Sequence, residues 1–257
     1  MLTFKGTTLF FIFVLIGMAV FGLIQDFPLP YFIVPISIYV FIVVHGSATI
    51  HSGFFMNVIS KGDESVPEIA ITFDDGPNPQ TTPAILDILK KHDITATFFC
   101  IGERAAENPD LIRRIVAEGH ILGNHSHSHH VLFDLFSKKN MVRDLRACNK
   151  TIEKMIGKRM LLFRPPYGVT NPALANAVSE VRITPVGWSL RSMDTVTKDP
   201  AKLVQKINNK LGPGDVILLH DTKQVTVQAL PEIIKVIQQK ELDVIRIDEL
   251  LKIHEYA

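Results

Sequence analysis

Four histidines crowd the stretch GNHSHSHHV, residues 123–131: His125, His127, His129 and His130. Two adjacent carboxylates, Asp74 and Asp75, directly follow an apolar run in ITFDDGPNP. Imidazoles and a carboxylate together suit Zn²⁺ or a similar divalent ion, with positions left for water and substrate. His125 and His129 are four apart, the separation of one helical turn or a wide loop. Both can therefore converge on one ion while His127 and His130 face elsewhere. Such an ion lowers the pKa of water and polarises a carbonyl. Adjacent aspartates point in different directions, so one can ligate while the other takes a proton from water. Arg164 supplies a cation that can pair with that base, and His220 supplies an acid for a leaving amine. Ser126 is lodged between the expected ligands and is poorly placed as a nucleophile. The chemistry of this set is metal-assisted hydrolysis of an amide or ester.

Such residues need a scaffold that brings them to one place. From residue 66 onward, short apolar runs alternate with amphipathic stretches. The strand candidates are EIAITF, TATFFCI, HILGN, MLLF, RITPVGW, DVILL and LDVIRI. Helices are predicted over Thr82–His92, Pro109–Glu118, Ser137–Ile156, Pro172–Glu180, Pro200–Leu211 and Val227–Lys240. Thr82, Asn108, Asn171 and Asp199 are the expected caps, with a proline at or near the first turn of four of these helices. Gly119 and Gly157 fall just past two helix ends. Nearly continuous apolar strands predict a parallel sheet buried on both faces. Seven such units predict an α/β fold, a (β/α) barrel with one unit missing, and an open doubly wound sheet is the alternative. No glycine-rich phosphate loop follows the first strand. In a barrel the C-terminal strand ends form the active face. Asp74 and Asp75, His125 and His129, Arg164 to Gly168, Trp188 to Asp194, and His220 with Asp221 each follow a predicted strand.

The chain has 257 residues, 47% hydrophobic and 21% charged, with a formal net charge of +1. That balance makes no electrostatic case for nucleic acid. Cys100 and Cys148 lie far apart without metal-ligand spacing, and Cys100 ends a buried-strand pattern, so free core thiols are expected. The apolar excess sits in Thr7–Ile24, which is uncharged, and in a second run, Tyr31–Val44. Eighteen helical residues just span a bilayer core of about 30 Å. The first run is too long and too uniformly apolar for a typical signal peptide, and no small-residue cleavage site follows it. The expected organisation is a membrane anchor over residues 1–60, with one or two spans between residues 7 and 50, and a catalytic domain over 61–257. Two spans form a hairpin with both ends on one side. Its flanks are Lys5 and Lys61, and its connecting loop holds Asp26. The positive-inside rule then favours a cytoplasmic domain. A single span with Lys5 inside places the domain outside, the placement adopted here.

The segments TFDDGPNP, HSHSH, RPPYG, WSLRSMDT and ILLHD, in this order, resemble the five motifs of the polysaccharide deacetylases, carbohydrate esterase family four. The resemblance covers roughly residues 66–250. It implies a distorted seven-stranded (β/α) barrel that removes acetyl groups from N-acetylglucosamine-type glycans, with peptidoglycan as the first expected polymer. A lipid-linked sugar is the alternative substrate, and an inactive carbohydrate-binding membrane protein the alternative from another class. By motif, Asp74 resembles the catalytic base and Asp75, His125 and His129 the ligands of a divalent metal, Zn²⁺ first, with Co²⁺ or Ni²⁺ as alternatives. Arg164 matches the arginine that orients the base. Tyr167 matches the residue whose backbone N–H stabilises the oxyanion, Leu218 a wall of the acetyl pocket, and His220 the catalytic acid. Pro166 and Trp188 are expected to meet substrate. Many family members carry Asp-Trp in the fourth motif, where this chain has Asp194-Thr195. Asp194 is expected to support either Arg164 or His220, and Thr195 leaves one side of the acyl pocket less apolar.

Overall fold

The computed structural model describes residues 2–25 and 28–257; Asp26, in the connection between the two apolar segments, lies outside the described residues. Eight strands occur among the described residues: β1 (Glu68–Asp74), β2 (Thr97–Cys100), β3 (Ile121–Asn124), β4 (Leu162–Phe163), β5 (Thr184–Pro185), β6 (Leu190–Arg191), β7 (Val216–His220) and β8 (Asp243–Val244). Their order is β5-β4-β3-β2-β1-β7-β6, and β8 pairs with the start of β1. The pairings are parallel, and the sheet curls into an incomplete seven-stranded barrel. The helices are α1 (Phe4–Ile24), α2 (Ile33–Ala48), α3 (Thr82–Lys91), α4 (Gly102–Glu107), α5 (Pro109–Ala117), α6 (Lys138–Ile156), α7 (Pro172–Val181), α8 (Pro200–Asn208), α9 (Gln224–Gln239) and α10 (Ile247–Leu251).

The period of a strand decides which side chains reach the site. Successive residues point to opposite faces. On β1, Ile69, Ile71 and Phe73 pack outward with Ile85, Leu86 and Leu89 of α3 and Ile233, Ile234 and Ile237 of α9. Ala70, Thr72 and Asp74 consequently face the barrel interior. On β7, Ile217 and Leu219 join the same outer core, which turns Val216, Leu218 and His220 inward. The lower interior is closed by Phe99, Ile121, Leu162 and Val186 with Ile247, Leu250 and Leu251 of α10. Polar groups are left at the upper end alone.

All six predicted helices form. Asn171 caps α7 through the Leu174 N–H at 2.8 Å, and Asp199 caps α8 through the Ala201 N–H at 2.9 Å. Thr82 and Asn108 use their side chains elsewhere: Thr82 Oγ1 donates to Asp221 Oδ2, and Asn108 Nδ2 to the Arg104 carbonyl. The helix α4 and the strand β6 were not expected, because six and two residues are too short to show a period. Cys100 and Cys148 are buried and unpaired, as their spacing implied.

The barrel is open between β5 and β6, and the segment after α2 lies along that seam. Ile59 bridges to Val186 on one side and Lys61 to Asp215 on the other. Ile50 and Val58 are buried in this contact, beside Gly187, and Phe54 is buried against Gly46 of α2. Phe4–Ile24 and Leu29–Ala48 are each long and apolar enough to cross a membrane. They pack side by side, with Thr8 Oγ1 and the Tyr39 hydroxyl 2.9 Å apart and Phe11 buried, while Leu9, Phe13, Leu23, Val34 and Phe41 stay exposed.

Candidate active site

Asp75, His125 and His129 converge at the top of the barrel. Their ligand-type atoms lie within 4.8 Å of one another. Asp75 Oδ1 is 3.5 Å from His125 Nε2 and 3.3 Å from His129 Nε2. His125 Nδ1 is 2.9 Å from the Arg164 carbonyl. A carbonyl can only accept, so Nδ1 carries a proton, and in the neutral ring it is Nε2 that offers a lone pair to the cluster. Asp75, Ser126, His129 and Tyr167 all adopt positive φ although none is glycine. Left-handed backbone at non-glycine residues costs about 1–3 kcal/mol each and gathers at functional sites. Here it turns both aspartate and histidine out of the strand direction and toward a common point. Burial works to raise the Asp75 pKa, but the hydrogen bond and charge of His125, with His220 and His129, hold it well below the usual carboxylate range. Burial pushes the His129 pKa down, and neighbouring His125 adds to the effect. His127 and His130 point away. The His127 N–H donates to Asp144 Oδ1 at 2.6 Å, and His130 Nδ1 accepts from the Leu132 N–H.

Asp74 approaches the imidazoles of this trio no nearer than 4.0 Å, Oδ2 to His125 Nε2, and is tied to Arg164. Arg164 is fully buried, and its Nη1 donates to Asp74 Oδ1 at 2.8 Å and to Thr72 Oγ1 at 2.7 Å. Nη2 and Nε donate to the carbonyls of Gly187 and Val186, and the guanidinium lies 4.0 Å from the Phe99 ring centre. Burial lowers the Arg164 pKa, and the Asp74 carboxylate opposes that. A buried cation held by four polar partners and an aromatic face has one orientation. Thr72 was not anticipated, although it sits two residues before Asp74 and so shares its strand face.

The choice left open for Asp194 is decided for His220. Asp194 Oδ1 is 2.8 Å from His220 Nδ1, and Oδ2 accepts from the His220 N–H and from Thr226 Oγ1 at 2.7 Å each. Burial works to lower the His220 pKa, but the hydrogen bond and charge of Asp194, with Asp74 and Asp75, raise it. Burial in turn works to raise Asp194, and His220 brings it down. Thr226 on α9 carries no sequence signal for this contact.

These groups line a cleft of about 250 Å³, whose walls include Tyr167, Gly168, Trp188, Arg191, Thr195 and Leu218. Trp188 packs over Gly168, where a Cβ would meet its ring at 2.5 Å. Pro165 faces the cleft, while Pro166 is buried behind it.

The sequence profile of the Polysaccharide deacetylase family matches residues 61–186. The peptidoglycan-N-acetylglucosamine deacetylase of Bacillus cereus is 35% identical over 189 residues, which are 72% of this chain and 88% of that protein. The chain belongs to the polysaccharide deacetylase family. The peptidoglycan-N-acetylmuramic acid deacetylase PdaC of Bacillus subtilis is a further relative, 37% identical over 188 residues that make up 73% of this chain. The chain spans 39% of the length of PdaC. The crystal structure of the Bc1960 peptidoglycan N-acetylglucosamine deacetylase superposes with a TM-score of 0.74 at 28% identity, covering 83% of this chain and 97% of that one. The incomplete barrel of this chain is therefore the family's fold.

Proposed function

We propose that the protein is a metal-dependent N-deacetylase of N-acetylated amino-sugar glycans of the peptidoglycan type. The observation that carries this reading is the separation of two carboxylates by partner: Asp75 joins two imidazoles, whereas Asp74 is held by Arg164. The trio fits a divalent cation by donor chemistry, two neutral imidazole nitrogens and one carboxylate, and by the tautomer that the Arg164 carbonyl imposes on His125. We assign Asp75, His125 and His129 to hold it, Zn²⁺ before Co²⁺ or Ni²⁺. When bound, such an ion supplies Lewis acidity toward the acyl carbonyl and toward water.

The chain's own residues do the rest. Asp74, oriented by Arg164, takes the proton of the water that adds to the acetyl carbon. The Tyr167 N–H meets the oxyanion. His220, protonated and oriented by Asp194, gives its proton to the sugar nitrogen as the carbon–nitrogen bond breaks, leaving acetate and a free amine. Leu218 and Trp188 wall the acetyl pocket, with Thr195 on the side that is less apolar, and Pro166 supports Tyr167 from behind. Residues 61–257 are the catalytic domain, and residues 1–60 are an anchor whose last stretch lies in the barrel seam. The two apolar helices support the anchor, and the peptidoglycan named in both Bacillus relatives supports an extracytoplasmic placement.

The test is acetate release by the full chain in detergent, from N-acetylglucosamine oligomers and from peptidoglycan, with added Zn²⁺ or Co²⁺. Metal-dependent acetate from wild type and not from Asp74→Asn supports the reading. A folded, zinc-loaded protein that releases none defeats it.

A further inference from the structure

Outside the two apolar helices, the exposed large apolar side chains gather at the mouth of the site. Val131, Leu132 and Leu135 follow His129 in the chain, Tyr167 donates its hydroxyl to the His129 carbonyl, and Val196 follows Thr195 across the cleft. Val66, and Leu2 just ahead of the first helix, are the exceptions among the described residues. Scattered apolar side chains are ordinary on a soluble surface, but a group beside an active site marks a binding surface. Val131 and Leu135 are 78% and 79% exposed, so nothing in the barrel covers them.

This loop is tied to the helical hairpin. Asn171 Nδ2 donates to the Asp134 carbonyl at 2.8 Å. The preceding residue, Thr170, donates its N–H to the Ser47 carbonyl at 3.0 Å and accepts from Ser47 Oγ at 2.7 Å. Ser47 lies in the last turn of α2, one of the two helices of membrane-spanning length. Two consecutive residues thus join the apolar loop to the point where the chain leaves that helix. A second cleft, about 730 Å³, shares the Trp188 and Arg191 walls and is lined by His51, Lys206 and Lys210. Its carboxylates, Glu64 and Asp215, are engaged by Lys61. Arg191, Lys206 and Lys210 therefore place positive charge beside the reaction cleft.

Building on the deacetylase and anchor readings above, we infer that the Val131–Leu135 loop seats in the bilayer surface and that the site acts on an N-acetylated amino sugar carried through a phosphate on a membrane lipid. Apolar tips and a tyrosine are the side chains that an interface favours. A mouth at that interface meets a lipid-carried sugar at high effective concentration, and the basic cleft suits the anionic linkage.

The test uses the full chain in phosphatidylglycerol–phosphatidylcholine nanodiscs. Cys100 and Cys148 are buried, so a cysteine introduced as Leu135→Cys, or as Lys240→Cys at the far end of α9, takes a nitrobenzoxadiazole label selectively. Lipids brominated near the head group are expected to quench the label at 135 and spare it at 240; an unquenched label at 135 overturns the inference. In the same discs, kcat/KM for polyprenyl-diphosphate-linked N-acetylglucosamine is expected to exceed that for soluble N-acetylglucosamine oligomers. Leu132→Ser with Leu135→Ser should remove that preference, about tenfold per leucine, and leave turnover of the soluble oligomers unchanged. Equal turnover of both glycans by wild type overturns the substrate assignment while the deacetylase stands. Turnover of neither overturns the deacetylase reading itself, and the quenching measurement reads the bilayer contact independently.

Discussion

Asp74 and His220 are register partners, the last residues of the adjacent strands β1 and β7. Both side chains point inward because the residues before them, Phe73 and Leu219, pack outward. Two neighbouring parallel strands therefore deliver a carboxylate and an imidazole side by side at the barrel mouth.

If Asp74 is the base and Asp75 the ligand, Asp74→Asn separates the two roles. The amide keeps an oxygen for Arg164 Nη1 but cannot take a proton. Turnover should fall about 10²–10⁴-fold, with zinc per chain unchanged by atomic emission. Loss of zinc in parallel with activity would reverse the assignment of the two aspartates.

Among the clustered histidines, only His125 and His129 face Asp75. His125→Ala and His129→Ala should lose zinc and activity together. His127→Ala should retain zinc, because that ring is buried on the α4 side, where a Cβ on Gly102 would meet its Nδ1 at 2.2 Å. Titration of apo-protein with Zn²⁺ checks all three variants, and zinc loss in His127→Ala would refute the register.

Asp194 should set the alkaline limb of the rate profile. It raises the His220 pKa through a hydrogen bond and its charge, so the imidazolium persists to higher pH than an ordinary histidine. Asp194→Asn removes the charge, the His220 pKa falls, and the acid is lost at lower pH. The alkaline limb of kcat/KM should move down in pH. An unmoved limb would mean that His220 is not the titrating acid.

Gly187 links the segment after α2 to the base. Its carbonyl accepts from Arg164 Nη2 at 2.6 Å, and a Cβ there would meet Ser60 Oγ at 2.4 Å and Val58 Cγ1 at 3.1 Å. Gly187→Ala should displace that segment, lower stability by about 1–3 kcal/mol and reduce kcat more than it raises KM. Thermal unfolding and steady-state rates test both effects. An unchanged melting temperature would show that the seam gives way freely.

The sequence by itself determined the long elements and the residue types at their ends. Short apolar runs located seven strands and amphipathic periods six helices, because a strand inside the fold is buried on both faces and a helix that covers it on one. The residue types at the strand ends pointed to the metal-assisted hydrolysis proposed above, and the ordered motifs singled out the histidines and the aspartate that converge in the fold. Short elements such as β6 and α4 carry too few residues to show a period. The tertiary structure decided what pairs across distance. Asp194 serves His220 and not Arg164 because β6 lies beside β7. Arg164 is fixed by Thr72 of β1 and by Val186 and Gly187, two separate parts of the chain. The segment after α2 lies in the seam, and Ser47 meets Thr170 next to the mouth. Contacts between residues far apart in the chain leave no local pattern, since each depends on where the curled sheet brings its strand ends.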